Sequence, residues 1–100
     1  MTKESNKEFR YMLPELKNDE YPNIPKPDNR SLSCYPDSEG NIHIQGDSEG
    51  LLYLAKYIAA MGLHENKTGL HIHLDPEYDM LDKGSRELTI LNVEFFPDHE

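Results

Sequence analysis

The sequence predicts an α+β fold: one amphipathic helix packed on one face of a four-stranded, mainly antiparallel sheet in the order β-β-α-β-β, after an extended N-terminal arm. Three observations carry this. Residues 47–62, DSEGLLYLAKYIAAMG, have the start, period and stop of a helix. Residues 31–45 hold two short alternating runs around a Pro-Asp-Ser-Glu-Gly turn. Residues 70–74, LHIHL, alternate apolar and polar ahead of a longer apolar run at 87–96.

Residues 1–30 form the arm and residues 31–100 a single α+β domain. Residues 5–13 allow a short helix with Phe9, Met12 and Leu13 on one side, but Pro14 ends it and so few residues are marginal alone. Pro22, Pro25 and Pro27 then impose extended or turn geometry. Tyr11, Leu16, Tyr21 and Ile24 are spaced to fasten the arm to the body.

Residues 31–35 and 41–45 read as a hairpin, with Ile42 and Ile44 facing the same way as Leu32 and Cys34, and His43 facing the other. The helix follows. At 100° per residue Leu51, Leu52, Leu54, Ala55, Ile58, Ala59 and Met61 fill one half of its circumference, leaving Tyr53, Lys56, Tyr57 and Ala60 on the other. Asp47 or Ser48 caps its start, Glu49 favours the positive end of its dipole, and Gly62 can end it in the left-handed conformation.

Residues 64–69 are a polar loop, and residues 70–74 a strand with Leu70, Ile72 and Leu74 inward and His71 and His73 outward. The connection 75–86 closes in a Lys-Gly-Ser turn, with Tyr78, Met80 and Leu81 folding back on the core. In the last strand Leu88 and Ile90 share one parity, Leu91, Val93 and Phe95 the other. Either both faces of this strand are buried or, the favoured reading, a β-bulge near Leu91 and Asn92 reconciles them.

One hundred residues with 36% hydrophobic side chains and no Trp support one modest core. The formal charge is −9, which disfavours nucleic acid and anionic membranes as ligands and favours a basic partner, although acidity also serves solubility alone. Cys34 is the single cysteine, so no internal disulfide forms. There is no apolar signal core at the N-terminus and no membrane-length apolar run, which makes the cytoplasm the expected compartment.

If the strands alternate in direction and the crossover through the helix is right-handed, two acidic groups meet at one end of the molecule. Asp47 and Glu49 stand at the foot of the helix, and Asp75, Glu77, Asp79 and Asp82 follow the third strand, with Tyr78 among them. Such a rim would capture Lys and Arg side chains, and Tyr53, Tyr57 and Tyr78 would add contact area. The plainer account is that Asp47 and Glu49 only cap the helix, that the 75–82 loop is solvated, and that Tyr53 and Tyr57 pack under the arm. His43, His71 and His73 share an outer face on this reading and are the candidates for a metal site, or with Asp75 for acid–base chemistry in a small metal-dependent enzyme. No nucleophile, phosphate loop or oxyanion-type glycine cluster accompanies them, so no catalytic residue, cofactor or bound metal is expected. Asp75, Glu77 and Asp79 alternate like a calcium loop but lack its central Gly and terminal Glu.

The block from Gly46-Asp47-Ser48-Glu49-Gly50 through the helix, the strand ending His71-Ile72-His73-Leu74-Asp75, and the Gly84-Ser85 turn before Glu87-Leu88-Thr89-Ile90 together resemble immunity protein family 32 of bacterial polymorphic toxin systems. The resemblance covers residues 41–95 and leaves the arm outside. It implies a small non-enzymatic α+β protein of the cytoplasm that binds and neutralises a cognate toxin domain, and it supplies no catalytic residues. Joined to the charge, it gives a basic toxin domain, a nuclease, as the expected partner. The alternatives are the metal-dependent enzyme above and a structural subunit of another assembly.

Overall fold

The computed structural model describes residues 6–16, 20–64, 71–78 and 80–95. The hairpin forms: β1 (Leu32–Pro36) pairs antiparallel with β2 (Ile42–Gly46), with Cys34 opposite Ile44 and Pro36 opposite Ile42. Asp37 organises the turn between them. Its Oδ1 accepts the N–H groups of Glu39 and Asn41, each at 2.9 Å, and Gly40 supplies the φ of +87° that other residues resist.

The α1 helix (Ser48–Leu63) starts where expected, since the Asp47 carboxylate accepts the N–H of Gly50 at 2.7 Å. Its orientation differs from the expected one. Gly50, Tyr53, Leu54, Tyr57, Ala60 and Met61 are buried, while Leu51, Leu52 and Ile58 are exposed. The backbone carbonyl of Ser31 sets this rotation: a Cβ on Gly50 would lie 2.0 Å from that oxygen, and one on Gly46 2.3 Å from it. The helix can approach Ser31 only through Gly50, and positions three, four and seven residues onward follow it inward. The helix also passes through Gly62, which does not take a left-handed φ; it ends at His64, whose extended backbone donates its N–H to the carbonyl of Ala60 at 2.9 Å.

Past residues 65–70, β3 (His71–Leu74) pairs antiparallel with β4 (Leu88–Leu91), placing Ile72 opposite Ile90 and Leu74 opposite Leu88. The inward parity expected of Ile72 and Leu74 is met, both being buried, while Leu70, expected inward with them, lies outside the described residues. The expected four-stranded sheet is corrected: among the described residues there are two separate two-stranded antiparallel sheets beside one α-helix. The reason lies on the outer edge of β1. Asp82 N–H bonds the Leu32 carbonyl at 2.8 Å, and Arg86 N–H bonds the Cys34 carbonyl at 2.7 Å. Four steps of chain therefore run beside two steps of β1, and the surplus is taken up in a turn with Gly84 at φ +88° and Ser85 N–H on the Asp82 carbonyl. A turn occupies the place a neighbouring strand needs, and β4 begins only at Leu88.

The expected bulge is likewise corrected. β4 keeps an unbroken register and stops at Leu91. Asn92 ends it: its Oδ1 accepts Glu94 N–H at 2.9 Å to start a 3-10 turn over Val93–Phe95, and its Nδ2 donates to the Met61 carbonyl at 3.1 Å near the helix end. The change of parity marked a strand terminus.

Residues 6–13 are not helical, so the short helix expected over 5–13 is absent from its described part, as a segment with one apolar side and a proline stop allows. Pro22 and Ile24 are buried, Tyr11 and Leu13 pack on the core, and Tyr21 is exposed. The His64 ring closes the arrangement, its Nε2–H donating to the Glu20 carbonyl at 2.9 Å. Leu32, Leu74 and Leu81 form the centre of the core, with Ile24, Cys34, Tyr53, Leu54, Tyr57, Ala60, Met61 and Ile72 around them.

Replacing Gly50 by Ala forces a methyl group into the Ser31 carbonyl. The expected result is a loss of about 2 kcal/mol or more in urea unfolding, by the usual scale of overpacking; Gly62→Ala, which meets open space, should be neutral or slightly stabilising.

Candidate partner-binding surface

The structure brings Asp47 and Asp82 to the same residue from different elements. Asp47 N–H bonds the Ser31 carbonyl at 3.1 Å, and Asp82 Oδ2 accepts from Ser31 Oγ at 3.1 Å, Leu32 N–H at 3.1 Å and Ser33 Oγ at 3.0 Å. The charge of Asp82 is thus turned inward onto β1. Asp47 is likewise engaged: the N–H of Gly50, the backbone at Ser31 and the Arg30 guanidinium hold its carboxyl below the ordinary aspartate value. Arg30 also lies over the Tyr53 ring at 5.0 Å and, with Lys26 and Asp28, lines a shallow cavity against Asp82. This end of the molecule carries cations of its own.

Glu49 is exposed in the first turn of α1, and Glu77 is exposed in the 3-10 turn Pro76–Tyr78. Asp75 is half-buried and starts that turn, its Oδ1 accepting Glu77 N–H at 2.8 Å. Asp79 and the Tyr78 side chain lie outside the described residues. Tyr53 and Tyr57 do not offer contact area. They are 2% and 8% exposed, packed edge to face with ring centroids 5.2 Å apart. Burial pushes the Tyr57 phenol well above its usual range, and Tyr53 and the arm account for the covering.

The three histidines do not share one face. His43 stacks on Tyr35 and bonds Asp37 Oδ2 through Nε2 at 2.7 Å, in the first sheet. His71 and His73 stand edge to face in the second, 4.6 Å between centroids, with His73 Nδ1 held by Glu87 and by Thr89 Oγ1. Among the described residues no group of three or more His, Cys, Asp and Glu is placed to hold a metal ion, and no helix is long and apolar enough to cross a membrane. The Asp37–His43 bond is the chief reason the Asp37 carboxyl lies below its ordinary value, with the N–H groups of Asn41 and Glu39 adding to it.

The comparison that decides the identity concerns the segment from β2 through β4. The family model described as Immunity protein 32 matches residues 41–93, more than half of the chain. The chain belongs to the immunity protein 32 family. No curated protein and no solved structure matches it. The family match begins at β2 and takes in α1, β3 and β4, so β1 and the arm are outside it although they supply Leu32, Cys34 and Ile24 to the core of this immunity protein 32 member.

Two surface residues escaped the sequence reading. Ile42 and Ile44 share the face of Leu32 and Cys34, as the alternation predicts, yet they are 64% and 45% exposed.

Two predictions follow from these side chains. Asp82→Ala strips the Leu32 N–H and two serine hydroxyls of their acceptor and should cost about 2 kcal/mol in urea unfolding, the scale of a buried donor left unpaired, with Asp82→Asn losing less. Asp47 and Asp37 both have folded values below the ordinary 3.8. Their contribution is therefore complete above that value and lost as pH falls through the lower folded ones; melting temperature should drop below about pH 4, and less steeply in the Asp37→Asn/Asp47→Asn double variant.

Proposed function

We propose that this chain is a non-enzymatic immunity protein that binds and neutralises a cognate bacterial toxin domain in the cytoplasm, and that the domain is a basic one, a nuclease. The observation that carries the reading is the family match over residues 41–93. The net charge of −9 supports a cationic partner, since a nuclease must itself attract phosphate and an acidic protein competes on the same terms.

The internal bonds of Asp47 and Asp82 and the neighbouring Arg30 move the attraction away from a single rim. The field of the whole molecule provides the steering. Glu49, Asp75 and Glu77, with Tyr78 and Asp79 beside them in sequence, remain the candidates for ion pairs at the contact, whereas Tyr53 and Tyr57 serve the core.

Co-expression with the toxin domain encoded next to its gene should restore growth, and the purified pair should associate at least about tenfold more slowly at 500 mM than at 50 mM salt, as screening of long-range steering requires. Failure to protect would remove the immunity reading. Protection with salt-independent association would keep it and remove the basic partner.

A further inference from the structure

We propose that the outer edge of β2 is the place where the basic partner adds an extended strand, an inference that rests on the immunity reading above. The β1–β2 ladder fixes which backbone groups point outward. Leu32 and Cys34 turn both their N–H and C=O groups away from β2, to Asp82, Ser85 and Arg86. Their partners across the ladder are Gly46 and Ile44, and Pro36 stands opposite Ile42. By the alternation of an antiparallel pair, the N–H and C=O groups of Ile42, Ile44 and Gly46 point away from β1. Among the described residues no strand pairs with them there.

This edge lacks the usual protection. Its sequence, Ile-His-Ile-Gln-Gly, holds no Lys and no Pro, and its register has no bulge. Ile42 and Ile44 stand beside it, exposed, on the face that carries Leu32 and Cys34. A strand added here gains main-chain hydrogen bonds from the edge and apolar contact from the two isoleucines, the two parts of recognition by strand addition.

Charge selects the occupant. Exposed Glu39 lies just before β2 and exposed Glu49 just after it, each beside an internally bonded aspartate, Asp37 and Asp47, so negative charge brackets a strand about 17 Å long. A second copy pairing antiparallel would set Asp37 and Glu39 of one molecule against Asp47 and Glu49 of the other. Parallel pairing would set each acidic pair against its own counterpart. Both arrangements add to the repulsion between two bodies of charge −9. A foreign strand with apolar residues at its centre and Lys or Arg at both ends satisfies the edge, the isoleucines and the carboxylates together.

The test uses the full chain and the toxin domain encoded beside its gene, with affinity measured by calorimetry. Ile42→Lys and Ile44→Lys place a cation facing a cationic strand, and Ile44→Pro deletes one outward N–H while touching no bond to β1. Each should weaken binding at least about tenfold, while Val93→Lys, at an exposed position outside the edge, should bind like the wild type; circular dichroism confirms which variants fold. Wild-type affinity in the folded edge variants, with neutralisation by the wild type intact, overturns the strand-addition proposal and leaves the immunity reading standing. No complex with the wild type overturns both. A free protein that is dimeric by light scattering, and monomeric as Ile44→Lys, would show the edge already taken by a second copy and would also overturn it.

Discussion

The carboxylate of Asp82 closes the edge of β1 that no strand among the described residues reaches, and much of the fold is arranged around that closure. Leu32 is fully buried, so its outward N–H must find an acceptor inside the protein or cost about 1–3 kcal/mol. Asp82 provides that acceptor from fifty residues away, and in the same place its own N–H takes the Leu32 carbonyl. Ser85 and Arg86 repeat the arrangement at Cys34. Four outward groups of β1 are thereby satisfied by a turn, and the sheet that the strand count implies is divided into two.

Ser31, just before β1, joins this edge to the helix. Its hydroxyl bonds Asp82 and its carbonyl receives Asp47 N–H, in a space that admits glycine alone at positions 46 and 50. With the helix held by that contact its rotation is settled, and the tyrosine side meets Ile24, Tyr11 and the second sheet. The arm is therefore the cover over Tyr53 and Tyr57, and His64 fastens it through Glu20.

Local signals were readable wherever the chain satisfies itself nearby. The Asp47 cap, the Asp37–Gly40 turn, the Gly84 turn and the inward parity of Ile72 and Leu74 all depend on a few consecutive residues. What escaped was decided at a distance. Periodicity points the leucine half of α1 inward, and only the close approach of Gly50 to the Ser31 carbonyl tells that the side with Tyr53 and Tyr57 is the buried one. Sequence places Asp82 in an acidic rim, because its three donors lie fifty residues away in and just before β1. The histidines were assigned one face on the assumption of one sheet, and separated when that sheet did. A sum of charges survives such rearrangements, which is why the acidic character of the molecule remains useful while the single rim does not.

The two edges of one hairpin differ, that of β1 closed from within and that of β2 without a strand on it among the described residues. Amide hydrogen exchange on the free protein measures it directly. The Leu32 and Cys34 amides should exchange only with global unfolding, and those of Ile42 and Ile44 orders of magnitude faster. Equal protection at all four positions, or rapid exchange at Leu32 and Cys34, would contradict it.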